Sequence, residues 1–241
     1  MRPLIIIPAR MRATRLPGKP LADIGGKPMI VHVWQRALQA DIGPVAVACS
    51  EVEVYDAVVS AGGQAVMTEP NLPSGTDRVR AAADIIDAAG AHDVIINVQG
   101  DMPTLDPSLV QDILTPFKKL SVDITTAAVK TDDADEKSDP NVVKAIIAND
   151  GHALYFTRAT APFGGGPVFH HLGIYGYRRE ALNRFCSLQP SPLEVRERLE
   201  QLRALEAGMR IDVVKVDVAP HGVDTAEDLE RARKAIMGQN L

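Results

Sequence analysis

Basic side chains follow the first apolar run of the chain. Residues 4–7 are aliphatic, and residues 8–20 contain three prolines together with Arg10, Arg15 and Lys19. Guanidinium and ammonium groups on a stiff loop beyond a buried strand can bind a highly charged anion such as a nucleoside triphosphate. Gly18 adds a close backbone approach beside Lys19. The alternative is a basic loop that only faces solvent.

Two aspartates follow later strand-like segments. Asp101 comes after residues 93–98, and Asp224 comes after residues 211–216. In open parallel sheets ligands bind beyond the carboxyl ends of the strands, and carboxylate oxygens there suit Mg²⁺. Gly100 permits an unusual backbone angle beside Asp101. As alternatives, Asp101 is a turn residue and Asp224 is the N-cap of a helix that opens at Thr225.

Further polar residues lie where they could contact a ligand. Ser74 and Gly75 precede a helical pattern, and Ser74 or Thr76 is expected to cap this helix. The hydroxyls and backbone groups of this segment could also bind a base or a ribose. His170 and His171 are adjacent on a strand-like segment and therefore point to opposite faces, which disfavours joint metal binding. His171 lies either beside a ligand hydroxyl or in a purely structural position.

The composition excludes several classes of protein. The 241 residues carry a net charge of −5, which disfavours a general nucleic-acid binder. Residues 1–36 nevertheless hold seven Lys or Arg and one acid, so the basic patch is local and suits a small anion. The two cysteines are far apart, which disfavours a disulfide framework or a zinc site. No apolar stretch approaches the roughly 18 residues that span a bilayer, so we expect a cytoplasmic protein without a membrane partner.

Apolar runs and helical patterns alternate in the first half of the chain. We predict strands over residues 4–7, 45–48, 64–67 and 93–98, and helices over residues 29–39, 52–61 and 79–89. This alternation predicts an α/β fold with a mostly parallel twisted sheet and helices on both faces.

The second half contains more strand-like segments, at residues 123–130, 142–148, 153–158 and 171–178. We expect one domain over residues 1–241, with a smaller β-rich lobe within about 121–190. Residues 193–207 predict one amphipathic helix that ends at Gly208 and has Val195 on its apolar face. Glu200 and Gln201 lie on this helix, where polar pairs are usually solvated. A strand at 211–216 and a helix at 225–237 follow.

Ordered segments along nearly the whole chain resemble the 3-deoxy-manno-octulosonate cytidylyltransferase (CMP-Kdo synthetase) family. Residues 7–10 and 14–21 resemble the opening signature of the family, part of which many sugar nucleotidyltransferases share. The later matching segments make the resemblance specific. They are residues 26–30, 74–76, 97–101, 153–159, 171–177, 199–203 and 222–229.

The resemblance implies a nucleotide-diphospho-sugar transferase-like fold and a homodimer formed through the smaller lobe. It also implies transfer of CMP from CTP to the anomeric hydroxyl of 3-deoxy-manno-octulosonate (Kdo) for lipopolysaccharide biosynthesis, with Mg²⁺ as cofactor. Catalytic roles are implied for Arg10, Arg15, Lys19, Asp101 and Asp224. Among them, the three basic residues would bind the CTP triphosphate and the two aspartates Mg²⁺. Ser74 and Gly75 would lie near cytidine, and the sugar acid would contact Gln99, Arg158, His171, Tyr175, Glu200 and Gln201.

The residues leave related functions open. A cytidylyltransferase for sialic acid or an amino-substituted Kdo would need only one or two altered contacts. A non-catalytic nucleotide-binding regulator could share the fold. Relative to the family pattern, Met102 replaces the Glu that usually follows the metal-binding aspartate, Ala13 replaces a Ser, and the segment 161–170 is shorter.

Overall fold

The computed structural model describes residues 1–11 and 16–238, which divide into two compact units. The first unit combines Met1–Gln111 with Pro220–Leu241, and the second is Asp112–Ala219. The strands are β1 (Pro3–Pro8), β2 (Asp23–Ile24), β3 (Lys27–Pro28), β4 (Val45–Cys49), β5 (Gln64–Met67), β6 (Val94–Asn97), β7 (Ile124–Thr131), β8 (Lys144–Ile147), β9 (Ala153–Thr157), β10 (Val168–Arg178) and β11 (Ile211–Val216). The α-helices are α1 (Met29–Leu38), α2 (Val52–Ser60), α3 (Gly75–Ile86), α4 (Pro107–Asp112), α5 (Ala134–Ser138), α6 (Arg179–Ser187), α7 (Pro192–Glu197), α8 (Leu202–Glu206) and α9 (Ala226–Gly238).

A parallel sheet forms the core of the first unit. Strand β1 pairs in parallel with β4 on one side and β6 on the other, and β4 pairs with β5. Leu4, Ile5, Ile6 and Ile7 are fully buried, as expected for a central strand of a parallel sheet. Helices α1 and α2 pack against β4, and α3 packs against β1. The ends of β1 and β6 therefore lie side by side at one edge of this sheet.

A small second core brings the C-terminal helix to the first unit. Gly25 and Gly26 adopt φ angles of 59° and 84°, which permits the tight turn between β2 and β3. Leu229 and Ala232 of α9 are buried in one cluster with Ile24. Val223 belongs to the same cluster, so the segment before α9 is anchored in the first unit.

The second unit has a mixed sheet. Strand β7 pairs antiparallel with β10 and parallel with β11, and β8 pairs antiparallel with both β10 and β9. The register of β10 against β7 shifts between Leu172 and Tyr175. The predicted β-rich lobe at about 121–190 falls within this unit, while its part in dimer formation stays a prediction.

The prediction of one helix over residues 193–207 is wrong. Helix α7 ends where Arg198 adopts the left-handed conformation, with φ 56° and ψ 46°, and α8 begins only at Leu202. A continuous helix cannot pass through a left-handed residue, so the apolar periodicity is interrupted there. Val195 is 66% exposed rather than on a buried face. Among residues 1–11 and 16–238, no helix combines the length and apolar character needed to cross a bilayer.

Candidate active site

The loop after β1 carries Lys19 into a defined position. Strand β1 is continued by a hydrogen bond from the Ala9 N–H to the Ala48 carbonyl at 2.8 Å. The loop closes where the Gly18 N–H donates to the Met11 carbonyl at 3.2 Å, and Gly18 has φ 72°, which favours glycine. Lys19 then opens a 3₁₀ turn over Lys19–Leu21. The chain reversal thus turns Lys19 back towards the end of the sheet.

Asp101 follows β6 because its neighbour can approach β1 closely. A Cβ added at Gly100 would lie 2.8 Å from the Pro8 carbonyl oxygen, closer than real Cβ contacts allow. Gly100 does not adopt a positive φ, so our expectation of an unusual backbone angle is wrong. Glycine is needed at position 100 because there is no space for a Cβ atom, and not because of its backbone conformation. It lets the 99–101 segment lie against the end of β1.

Asp224 reaches the same region from the far end of the sequence. The Val223 N–H donates to the Asp101 carbonyl at 2.9 Å and so joins the two segments. Thr225, not Asp224, caps α9, because its Oγ1 accepts from the Asp228 N–H at 3.2 Å. The Asp228 carboxylate in return accepts from the Asp224 and Thr225 N–H groups. The N-cap alternative for Asp224 is therefore wrong.

Lys19 joins the two aspartates. Its Nζ donates to Asp101 Oδ2 at 2.8 Å and to Asp224 Oδ1 at 3.0 Å. The two carboxylate oxygens therefore lie at most 5.8 Å apart. Burial disfavours the charge on Lys19, but the two carboxylates outweigh burial and raise the pKa of Lys19. The expectation that these two acids converge near a basic side chain is met.

These groups border one cavity of about 380 Å³ in the first unit. The predicted site residues that line it are Arg10, Lys19, Ser74, Gly75, Gln99, Asp101 and Asp224. Ser74 also caps α3, since its Oγ accepts from the Asp77 N–H at 3.1 Å, and α3 begins at Gly75 rather than at residue 79. Arg15 lies outside the described residues. The roles given to the seven lining residues stay predictions, but their assembly around a polar cavity is a finding.

Arg78 is a cavity residue that the sequence reasoning missed. It lines the same cavity although only 3% of it is exposed. Its guanidinium donates to Thr68 Oγ1 and to the Pro70 carbonyl, and Thr68 in turn donates to the Cys49 carbonyl. Burial lowers the pKa of Arg78, while the Glu51 carboxylate opposes this effect, and a guanidinium keeps its positive charge beside the cavity. Arg78 lies four residues after the cap Ser74, on the first turns of α3. This spacing is the sequence feature that could have predicted its place beside the cavity.

The second unit brings together three of the residues predicted to bind a sugar acid. The rings of His171 and Tyr175 lie 5.5 Å apart, centroid to centroid. Four residues of extended strand would separate them by about 13 Å, so the register shift in β10 brings them together. Burial, and then the Glu200 carboxylate, raises the pKa of Tyr175. His171, Tyr175 and Glu200 therefore lie together in the second unit.

One ring nitrogen of His171 is hydrogen-bonded within the protein. Two backbone carbonyls, of Leu172 at 3.1 Å and of Ile174 at 2.8 Å, accept from the Thr126 hydroxyl, and we therefore assign His171 Nε2 as the donor to Thr126 Oγ1 at 2.9 Å. Burial, with a smaller effect of His170, lowers the pKa of His171 to about 3. His171 is thus neutral at pH 7, and a contact with a ligand hydroxyl would fall to Nδ1. The side chain of His170 is instead 3.7 Å from Glu136, as expected for opposite faces of a strand.

Gln201 and Arg158 differ in how they are engaged. Gln201 is 7% exposed, and within the described residues its buried Nε2 has no hydrogen-bond acceptor. The solvated alternative is therefore wrong for Gln201. Arg158 donates from its guanidinium to the backbone carbonyls of Pro140, Glu197 and Arg198. Its predicted contact with the sugar acid would compete with these bonds.

Sequence comparisons identify the family. A family model described as cytidylyltransferase matches residues 4–211. The 3-deoxy-manno-octulosonate cytidylyltransferase of Parvibaculum lavamentivorans is 59% identical over 99% of this chain and 94% of its own length. That of Paramagnetospirillum magneticum is 57% identical over 97% of each chain. The chain belongs to the 3-deoxy-manno-octulosonate cytidylyltransferase family.

A solved structure agrees with this membership. The structure of CMP:2-keto-3-deoxy-manno-octonic acid synthetase complexed with CTP matches with a TM-score of 0.92 and 39% identity over 100% of both chains. The predicted fold class, a mostly parallel α/β sheet of the nucleotidyltransferase type, is confirmed. As a member of the 3-deoxy-manno-octulosonate cytidylyltransferase family, the protein is a nucleotidyltransferase. Met102, which follows Asp101, is 7% exposed and packs in the interior.

Proposed function

We propose that this protein transfers CMP from CTP to the anomeric hydroxyl of Kdo, and releases pyrophosphate. The names of its relatives and a CTP complex of a 39% identical structure support this proposal. The observation that carries it is the convergence of Asp101 and Asp224 on Lys19 in a polar cavity. We further propose that the enzyme acts in the cytoplasm as a homodimer and serves lipopolysaccharide biosynthesis.

The reaction needs no covalent enzyme intermediate. The anomeric oxygen of the sugar acid forms a bond to the α-phosphorus of CTP, and the bond from that phosphorus to the bridging oxygen of the β-phosphate breaks. Pyrophosphate carries away the bonding electron pair, and the hydroxyl proton passes to solvent. The contribution of the protein is therefore to position the reactants and to neutralise charge.

Charge neutralisation is the harder requirement, because CTP and the sugar acid are both anions. Two unit charges of like sign at 4 Å repel by roughly 4 kcal/mol at an effective dielectric of about 20. In the cavity, Lys19 and Arg10 supply positive charge to the phosphates, and buried Arg78 adds a third cation. Arg15, outside the described residues, is proposed to add to this group.

Mg²⁺ fits the two carboxylates. This ion usually binds through one or two carboxylates, several waters and the phosphates of the substrate, and oxygens of Asp101 and Asp224 lie within 5.8 Å of each other. The described residues contain no cluster of three metal-ligating side chains, so the remaining ligands would be waters and phosphate oxygens. When bound, Mg²⁺ would neutralise phosphate charge and lower the pKa of a coordinated hydroxyl. Lys19 would then donate to phosphate oxygens in place of the carboxylates.

The acceptor would be recognised by groups of the second unit. His171 Nδ1 and the Gln201 amide offer an acceptor and a donor for sugar hydroxyls. Arg158 would supply a positive charge for the sugar carboxylate. A single missing contact is worth roughly 1–3 kcal/mol, which is enough to select among 2-keto sugar acids.

Pyrophosphate release tests the proposal. The purified protein is assayed with CTP and Mg²⁺ against Kdo, an amino-substituted Kdo and sialic acid, with UTP and GTP replacing CTP in parallel. We expect release with CTP and Kdo, and far slower release with the other nucleotides. Faster turnover of another acid would replace Kdo as the substrate. Silence with every acid, while CTP still binds, would support a nucleotide-binding regulator.

A further inference from the structure

The carboxylate at the end of α7 is bonded to the strand beside it. Glu197 Oε1 accepts from Thr157 Oγ1 at 2.8 Å, and Oε2 accepts from the Arg158 N–H at 3.0 Å. The Tyr155 hydroxyl is 3.5 Å from Oε1. Hydrogen bonds to an ionised carboxylate are stronger than those between neutral groups. Glu197 therefore ties the end of α7 firmly to β9.

Arg158 returns the contact to the backbone of the same segment. Its Nε donates to the Glu197 carbonyl at 3.0 Å, and its Nη2 donates to the Arg198 carbonyl at 3.4 Å. The Glu197 side chain thus holds the backbone of Arg158, while the Arg158 side chain holds the backbone of Glu197 and Arg198. We call this pair of contacts the 158–197 clamp.

The clamp acts on a strained turn. Arg198 has φ 56° without being glycine, a conformation that is unfavourable for residues with a side chain. Directly after it, Leu199 is 6% exposed and Gln201 is 7% exposed, so the turn sends the next residues into the interior. Glu200 lies between them, near Tyr175. Without an external constraint, the chain at Arg198 would relax and move these residues.

Strand β9 also contacts the aromatic pair. Phe156, next to Thr157, packs edge-on against His171 with ring centroids 4.9 Å apart. The clamp consequently connects the strand that supports His171 to the turn that carries Glu200 and Gln201. The positions of His171 on one side, and of Glu200 and Gln201 on the other, therefore both depend on β9.

We propose that Glu197 is a positioning residue for the acceptor site, because it sets where Glu200 and Gln201 lie relative to His171 and Tyr175. It does so without touching the substrate itself. This inference deepens the proposed function and rests on it. Its consequence is that loss of the Glu197 carboxylate weakens recognition of the sugar acid and leaves recognition of CTP intact.

The decisive variant is Glu197→Gln. It keeps the shape of the side chain but replaces one carboxylate oxygen with an amide NH2 group, which cannot accept the bond from its donor. The matched control is Glu206→Gln, since the Glu206 carboxylate likewise accepts a backbone N–H, from Leu193 at 3.2 Å. We expect Glu197→Gln to raise KM for the sugar acid about tenfold, with KM for CTP within twofold of wild type. Amide hydrogen exchange at residues 198–202 should quicken about tenfold while that of β10 stays unchanged. Glu206→Gln should change neither measurement.

Two outcomes overturn the inference: unchanged exchange at 198–202, or equal increases in both KM values. If Glu197→Gln does not fold, Thr157→Val removes one bond of the clamp, and we expect the same changes at smaller size. Wild-type silence with every sugar acid would instead contradict the proposed function. In that case the exchange measurement still decides whether Glu197 holds the turn.

Discussion

Lys19 Nζ lies 2.8 Å from the Asp101 carboxylate and bonds at the same time to Asp224. One cation thus bonds two anions that converge from distant parts of the sequence. These three side chains together carry one net negative charge, while Arg10 and Arg78 add positive charge elsewhere along the same cavity. Under the proposed function, this mixture of charges would suit a metal–nucleotide complex.

Replacement of Asp101 tests the role of this site directly. We expect Asp101→Asn to lower kcat by at least about 10²-fold, because one preorganised charge is lost from the reacting centre. Pyrophosphate release at saturating CTP, over a range of Mg²⁺ concentrations, measures the effect. The control is Asp106→Asn, since Asp106 is exposed and its carboxylate bonds only to Ser108 among the contacts described. Near-normal turnover with unchanged Mg²⁺ dependence in Asp101→Asn would refute the metal role.

Space at Gly100 gives a second prediction. A methyl group there would meet the Pro8 carbonyl oxygen at 2.8 Å, so Gly100→Ala must push the 99–101 segment away from β1. We expect a loss of about 1–3 kcal/mol in the free energy of unfolding and a fall in kcat of about tenfold or more. Urea unfolding and pyrophosphate release measure the two effects. Gly222→Ala is the control, because a Cβ at Gly222 meets nothing within 4 Å, and it should behave as wild type.

Arg78 should matter for both stability and nucleotide binding. Arg78→Met removes the bonds to Thr68 and the Pro70 carbonyl, so we expect a loss of about 1–3 kcal/mol in the free energy of unfolding. KM for CTP should rise, since a cation beside the cavity disappears. The control Arg80→Met lies two residues further along α3, where an exposed pair with Asp84 contributes at most about 1 kcal/mol. Equal effects of the two substitutions would contradict a special role for Arg78.

His171 gives a prediction about pH. Burial lowers its pKa to about 3 in the folded protein, from an ordinary value of 6.5. Between these values the unfolded chain binds one more proton, so the free energy of unfolding falls by about 1.4 kcal/mol for each unit that the pH falls. From pH 6.5 to 5 this amounts to about 1.6 kcal/mol, because the unfolded histidine is only half protonated at pH 6.5. The stability contributed by neutral His171 is therefore present above pH 6.5 and lost towards pH 3.

Two variants isolate this effect. His171→Gln should show a shallower decline in the free energy of unfolding between pH 7 and 5 than wild type, whatever its stability at pH 7. His221→Gln, at an exposed position, should keep the wild-type slope. Identical slopes for wild type and His171→Gln would show that His171 does not carry this pH dependence.

The strands around the cavity could be predicted from the sequence because their burial is nearly complete. Residues 4–7 and 94–97 are continuous apolar or buried runs, and such runs occur where helices cover a parallel sheet. The loop basic residues and the two aspartates follow from the rule that ligands bind beyond the strand ends. Local composition was sufficient for this part of the site.

Contacts between distant residues decided what local patterns missed. The segment 193–207 has the periodicity of one helix, but bonds from Arg158 hold a left-handed residue at Arg198. Asp224 precedes a helix and so reads as a cap, while the capping pair is Thr225 with Asp228. Nothing in the spacing around residue 100 reveals that Gly100 faces the Pro8 carbonyl. Tertiary structure overrides local preference at all three places.

The bond from the Val223 N–H to the Asp101 carbonyl also governs when the cavity lined by Asp101 and Asp224 can be completed during synthesis. Roughly 120 residues must be synthesised between these two positions, which takes on the order of ten seconds at ordinary translation rates. A nascent chain that already has its first strands and its basic loop still lacks the second aspartate until this interval has passed. The cavity lined by Asp101 and Asp224 is therefore completed only late in the synthesis of the chain.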